Sequence, residues 1–199
     1  MGRAFERMRL SSFQTIILGF SVLILIGALL LTLPVAKAGA GNANFLDALF
    51  TSTSAVCVTG LVVQDTATYW SPFGQAVILC LIQIGGMGVV TAAVAFAMVS
   101  GKKIGLMQRS TLQEAISAHH VGGIVKLTGF ILKTTLVIEL IGALLLGIVF
   151  SGDFGIFKGV WYGLFHSISA FCNAGFDLMG VNAQYSSLTG YTGNPLVNA

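Results

Sequence analysis

The sequence predicts an all-α membrane protein built from repeated units: a spanning helix, a short re-entrant helix with a pore loop, and a second spanning helix. Three observations carry that expectation. Charge is scarce: 9% of the 199 residues are Asp, Glu, Lys or Arg, 55% are apolar, and mean hydropathy is +0.90, far from a soluble mix. Charge-free runs extend from Leu10 to Ala36 and from Thr66 to Gly101, each longer than the ~20 apolar residues a helix needs to cross a bilayer. The chain also repeats itself. Leu49–Leu61, LFTSTSAVCVTGL, returns 115 residues later as Leu164–Phe176, LFHSISAFCNAGF. Leu49/Leu164, Phe50/Phe165, Ser52/Ser167, Ser54/Ser169, Ala55/Ala170, Cys57/Cys172 and Gly60/Gly175 are shared. At the same offset LIGALLL stands at Leu25–Leu31 and at Leu140–Leu146. Two blocks in one register, without a gap, mark an internal repeat, which takes precedence over local assignments.

Met1–Arg9 carries Arg3, Arg7 and Arg9 against Glu6 before the first apolar run. That run exceeds the ~7–15 apolar residues of a secretory signal, and its LIGALLL block recurs inside the chain. It is read as the first spanning helix, with Pro34 near its end. Asn42–Ala55 is too short to span. Asn42 or Asn44 caps a helix with hydroxyls in its last turns, and ~10–14 residues suit a buried or re-entrant element. Val56–Leu61 then leaves the helical pattern, and such backbone survives at membrane depth only against protein or a wet cavity. Ser71–Ser100 is the second spanning helix, with Pro72 in its first turn. Its Gly85-Gly86-Met87-Gly88 run is read as a close helix contact rather than a hinge.

Lys102–Lys126 is the one sizeable polar stretch, with Lys102, Lys103, Arg109, Glu114, His119 and His120. Adjacent histidines do not share a helix face and no Cys or carboxylate cluster accompanies them, so a solvated loop or surface helix is favoured over a metal or pH site. Leu127–Phe150 is the third spanning segment. Lys133 lies near its basic end and reaches the interface. Glu139 stands where Ile24 stands in the first repeat, nearer mid-helix, and is assigned a hydrogen bond within the bundle ahead of a direct ion-path role. Phe157–Ala170 and Phe171–Phe176 repeat the short helix and loop, and Tyr185–Thr192 is a polar exit. Asn194-Pro195 resembles Ser71-Pro72, so a fragment is expected, with its fourth spanning helix just begun. The divisions are residues 1–100, the first repeat; 101–126, a cytoplasmic loop; and 127–199, a second repeat lacking its closing helix.

Lys and Arg in short loops mark the cytoplasm. Arg3, Arg7, Arg9, Lys102, Lys103, Arg109 and Lys126 fall on the amino-terminal side; Lys37 and Lys158 fall on the other, with Asp47, Asp65, Asp153 and Asp177. The amino terminus is therefore cytoplasmic, and the outer mouth is mildly negative, which concentrates cations. Each short helix descends from outside and turns its carboxyl end, with its partial negative charge, toward the pore axis. Val58, Thr59 and Gly60, and Asn173, Ala174 and Gly175, are the candidate ion-binding residues. Glycine tolerates dihedrals that let carbonyls turn inward, and rings of carbonyls replace an ion's hydration shell in potassium filters. No carboxylate lies in either loop, which poorly suits divalent ions.

SAVCVTGL and SAFCNAGF, each between two spanning helices, resemble the filters of the Trk/Ktr/HKT potassium transporters, and QIGGMG at Gln83–Gly88 agrees. The short amino terminus is similar to the Ktr-type membrane subunit. The resemblance implies four such units around one pore, of which this chain holds two, the second incomplete, with Gly60 and Gly175 as the first two filter glycines. It implies potassium uptake across the plasma (inner) membrane, a multi-pass homodimer, and a cytoplasmic ring of nucleotide-binding regulatory subunits. No cofactor beyond the permeating potassium ion and no nucleic-acid partner are expected.

Cys57 and Cys172 are assigned to filter support. No Met, His or third Cys stands at ligand spacing, and cysteine is also a small buried hydrophobe. The rival within the class is a sodium-preferring or non-selective cation pathway. A membrane-embedded enzyme would need His119, His120, Glu139 and His166 grouped with a nucleophile, and they are scattered. A purely structural scaffold leaves the repeated loops unexplained. The charge asymmetry makes a direct prediction: Asp153→Cys is labelled by a membrane-impermeant thiol reagent from outside the cell, and Arg109→Cys is not. Reversed labelling would refute the orientation.

Overall fold

The computed structural model describes residues 11–88, 91, 92, 94, 105, 110–113 and 124–198. Among these the chain is helical, with one isolated bridge between Lys37 and Trp70. The long helices are α1 (Ser12–Leu31) and α5 (Ile124–Phe154); the shorter ones are α2 (Phe45–Val56), α3 (Thr66–Tyr69), α4 (Pro72–Met87) and α6 (Ile156–Phe171). The expectation of an all-α membrane protein holds. Phe13–Leu31 and Lys126–Phe154 are each long and apolar enough to cross a bilayer.

Local chemistry sets the ends. Ser11 caps α1 in a reciprocal box with Gln14, each side chain taking the other's backbone N–H, which satisfies two donors that a helix start leaves open. The helix stops before Pro34, which has no N–H to give. Asn44 caps α2 through Leu46 N–H, and Ser71 caps α4 through Gly74 N–H with Pro72 behind it. Asn194 receives the N–H of Leu196 on its side chain and that of Asn198 on its carbonyl, so Asn194-Pro195 opens a single turn.

The second spanning segment departs from the expected continuous Ser71–Ser100. Helix α4 ends at Met87, where Gly88 takes φ +81° and its N–H turns back to Gly85 O. Thr91, Ala92 and Val94 are helical again. An α-helix has no place for a positive φ, and glycine alone adopts it freely, so the glycine run both packs closely and interrupts the helix. Helices α5 and α6 also run longer than Leu127–Phe150 and Phe157–Ala170.

The repeat is visible in the packing. Ser52 on α2 donates to Ile24 O on α1 at 2.8 Å, and Ser167 on α6 donates to Glu139 O on α5 at 2.7 Å. Both donors and both acceptors are 115 residues apart. A Cβ on Gly27 would collide with Ser52 Oγ, and one on Gly142 with Ser167 Oγ. The glycine of each LIGALLL block is thus the seat for a hydroxyl of the short helix. Further along, Gly163 of α6 stands against Gly147 of α5, and small residues at a helix seam permit that closeness.

Filling those seats should be costly. Gly27→Val and Gly142→Val are each expected to destabilise by about 1–3 kcal/mol through overpacking. Gly152→Ala, which meets nothing within 4 Å, should be close to neutral. Thermal unfolding of detergent-purified protein checks the contrast.

Candidate functional site

Both α2 and α6 end in the same hydrogen-bonded cap. In the first, Val58 N–H returns to Ala55 O (3.3 Å) and Thr59 N–H to Ser54 O (3.0 Å); in the second, Asn173 N–H returns to Ala170 O (2.9 Å) and Ala174 N–H to Ser169 O (2.7 Å). This is the Schellman pattern, which needs a left-handed residue just past the helix. Val58 and Asn173 supply it, at φ +50° and +56°. Asparagine takes that region readily, but a β-branched valine there is strained by about 1–3 kcal/mol. Gly60 and Gly175 follow at φ +74° and +73°.

The two loops meet at those glycines. A Cβ on Gly60 would lie 2.7 Å from Ala174 O and 3.1 Å from Gly175 Cα, and one on Gly175 would lie 3.2 Å from Gly60 Cα. Among the described residues, no hydrogen bond reaches the carbonyls of Val58, Thr59 and Gly60, or of Asn173, Ala174 and Gly175. The caps consume the carbonyls just upstream and leave these open. Side chains brace the loops from behind: Ser54 and Thr59 share a hydroxyl contact at 2.8 Å, and Ser169 donates to Phe176 O at 2.6 Å. A cleft of about 180 Å³ borders the second loop, lined by His166, Asn173, Gly175, Asp177 and Ser187 among others.

The sequence-matched cysteines have different surroundings. A Cβ on Gly86 of α4 would meet Cys172 Sγ at 2.6 Å, so Cys172 rests on that glycine, whereas Cys57 is exposed. Gly85 in turn faces Val56 O at the end of α2. Helix α4 therefore touches the carboxyl ends of both short helices through adjacent glycines. One turn earlier, Gln83 Nε2 donates to both carboxyl oxygens of Glu139, at 2.9 and 3.1 Å. Glu139 thus has the hydrogen bond within the bundle that its mid-helix position required.

His166 is wholly engaged in structure. Its Nε2 accepts from Leu178 N–H at 3.2 Å, leaving Nδ1 to donate to Tyr162 O at 2.7 Å; a backbone N–H can only donate, so the ring is the neutral Nδ1–H tautomer. His119 and His120 lie outside the described residues. Asp65, placed by the sequence only as an outer charge, is 6% exposed and ties the two repeats together. Its Oδ1 accepts from Ala67 N–H, Thr68 N–H and the Thr68 hydroxyl, and its Oδ2 from Tyr185 N–H at 3.0 Å. Tyr191 donates to Asp153 at 2.6 Å. Burial, that bond and the Asp153 charge push its phenol up to about 12, so this bond is kept at neutral pH and lost only as pH rises through that value.

The chain matches the TrkH family, described as a cation transport protein, over residues 4–199. It is 48% identical over 174 residues to the potassium/sodium uptake protein NtpJ of Enterococcus hirae, covering 87% of this chain and 39% of that protein. It is 45% identical over 185 residues to Ktr system potassium uptake protein B of Bacillus subtilis, covering 93% and 40% respectively. The corresponding Vibrio alginolyticus protein is 37% identical, with 93% and 39% covered. The chain thus spans about two-fifths of the length of these relatives.

The Asp65 junction gives a stability prediction. Asp65→Ala strands three backbone N–H groups, at about 1–3 kcal/mol for each one left buried and unpaired. Asp65→Asn keeps one oxygen and should lose less. The order of apparent Tm in detergent, wild type above Asn above Ala, checks it; an alanine variant as stable as wild type would refute the junction.

Proposed function

We propose that this chain, which belongs to the TrkH family of cation transport proteins, carries two of the pore-lining units of a potassium uptake protein. The observation that supports the reading is the pair of loops. They share one backbone form, leave six carbonyls without a hydrogen-bond partner among the described residues, and abut at Gly60 and Gly175. Unpaired carbonyls at membrane depth are expensive unless something else coordinates them, and a dehydrated monovalent cation does so. The carboxyl ends of α2 and α6 add partial negative charge where each loop begins. Val58, Thr59 and Gly60 with Asn173, Ala174 and Gly175 are the ion-contacting residues in this reading. The chemistry is passive permeation, and the family is one of transporters rather than enzymes.

The relatives' names carry both potassium and sodium, so a pathway that also passes sodium is the second reading. In the full-length protein, other units complete the ring of carbonyls, two copies associate in the plasma membrane, and the amino terminus and residues 102–126 face the cytoplasm. There a nucleotide-binding regulatory subunit docks, as befits a protein similar to members of Ktr systems.

Gly60→Ser and Gly175→Ser test the filter. A Cβ at Gly60 collides with Ala174 O of the opposite loop and one at Gly175 crowds Gly60 Cα, and the positive φ disfavours any side chain. In the full-length transporter each should lower the preference for potassium over sodium. A shift of 1.4 kcal/mol in relative site energy is about tenfold in that preference. Cys57→Ser and Cys172→Ser should leave it largely intact. The measurement is sodium/potassium competition for uptake in a potassium-uptake-deficient host. Wild-type preference in both glycine variants, with loss in the cysteine variants, would move ion recognition from carbonyls to thiols.

A further inference from the structure

We propose that Gln83 and Glu139 form a positioning pair that seats the second loop against α4 and thereby tunes which monovalent cation passes, an inference that rests on the cation-uptake reading above. Glu139 is 3% exposed and is a shared contact of two helices. Its side chain holds α4 through Gln83 Nε2, and its main-chain carbonyl holds α6 through Ser167 Oγ. Three residues beyond Gln83, on the same face of α4, Gly86 receives Cys172, the first residue of the second loop. Gly85 beside it faces Val56 O, at the end of α2. Helix α4 is therefore the seam on which both loops rest, and the Gln83–Glu139 bond fixes that seam relative to α5.

The first repeat lacks this device. Ile24 occupies the equivalent position, accepts the Ser52 hydroxyl on its main chain as Glu139 accepts that of Ser167, and offers only an apolar side chain. At this pair of equivalent positions, only the second unit's side chain grips α4. A slip of α4 along α5 would move the seat of Cys172, and with it the approach of Gly175 to Gly60. Because these glycines touch, a displacement of a few tenths of an ångström changes the spacing of the carbonyls around a bare ion. Potassium and sodium respond differently to that spacing. Glu139 acts through the loop it positions and does not touch the ion.

The test uses the full-length transporter and reads the potassium/sodium preference of uptake, normalised to the amount of protein in the membrane. Glu139→Ile, which installs the first repeat's residue, and Gln83→Leu should each lower the preference, on the order of tenfold, or about 1.4 kcal/mol. The double variant should be no worse than either single one, because both remove one bond. The exchanged pair, Gln83→Glu with Glu139→Gln, keeps an amide facing a carboxyl and should restore the preference. If Glu139→Ile does not reach the membrane, Gln83→Leu reads the same bond from the other helix. Unchanged preference in the single variants with normal uptake, losses that multiply in the double variant, or an exchanged pair no better than the singles would each overturn the proposal. An unsubstituted protein that moves neither cation would overturn the uptake reading itself.

Discussion

Ser52 and Ser167 each place a hydroxyl on a main-chain carbonyl of a neighbouring long helix, at Ile24 and Glu139, and the placement of both loops depends on those two hydrogen bonds. A 12-residue helix such as α2 is too short to be stable by itself, so it has to be held. In hydrocarbon no water competes for the hydroxyl, and a helical carbonyl keeps a second lone pair after its intrahelical bond. Gly27 and Gly142 make the approach possible by leaving the space that any Cβ would fill. Remove either glycine and the short helix must stand off, taking its cap and loop with it.

Given that anchorage, the loops can carry strain. The cap that ends α2 requires a left-handed residue, and the chain puts valine there, where glycine or asparagine would be easier. The cost of about 1–3 kcal/mol is offset by the two cap bonds, by the Ser54–Thr59 contact and by the glycine seam of α4. Strain held this way fixes the direction of the next carbonyls. Outside the loops, Asp65 binds Tyr185 N–H across 120 residues of sequence, so the two exits are braced against each other.

Much of this was legible in the sequence, and for physical reasons. The 115-residue offset aligns Ser52 with Ser167 and Ile24 with Glu139, and those residues are the donors and acceptors of equivalent bonds. Gly60 and Gly175 were identifiable as turn residues because the positive φ they take favours a residue free of Cβ. The left-handed Val58 was not, since a β-branched residue argues against that conformation and only tertiary support overrides it. The break at Gly88 was hidden because a glycine run inside an apolar stretch looks the same whether it packs or interrupts. Asp65 looked like one more outer charge, because its partner is a backbone N–H, which no side-chain pattern announces. The matched positions of Cys57 and Cys172 in the repeat concealed unequal neighbours, since Gly86 of α4 packs against Cys172.

The serine bonds also bear on how duplicated units come to differ. Each joins a side chain to a main-chain atom, and the main chain is the same whatever residue occupies the acceptor position. The donor and the glycine seat are constrained by the contact, but the residue that owns the carbonyl is free to drift. Isoleucine at 24 and glutamate at 139 are two outcomes of that freedom: one stays inert in the bundle, and the other takes up a second bond. An architecture that binds through shared backbone can thus copy a unit, keep its geometry, and let the copies acquire separate tasks.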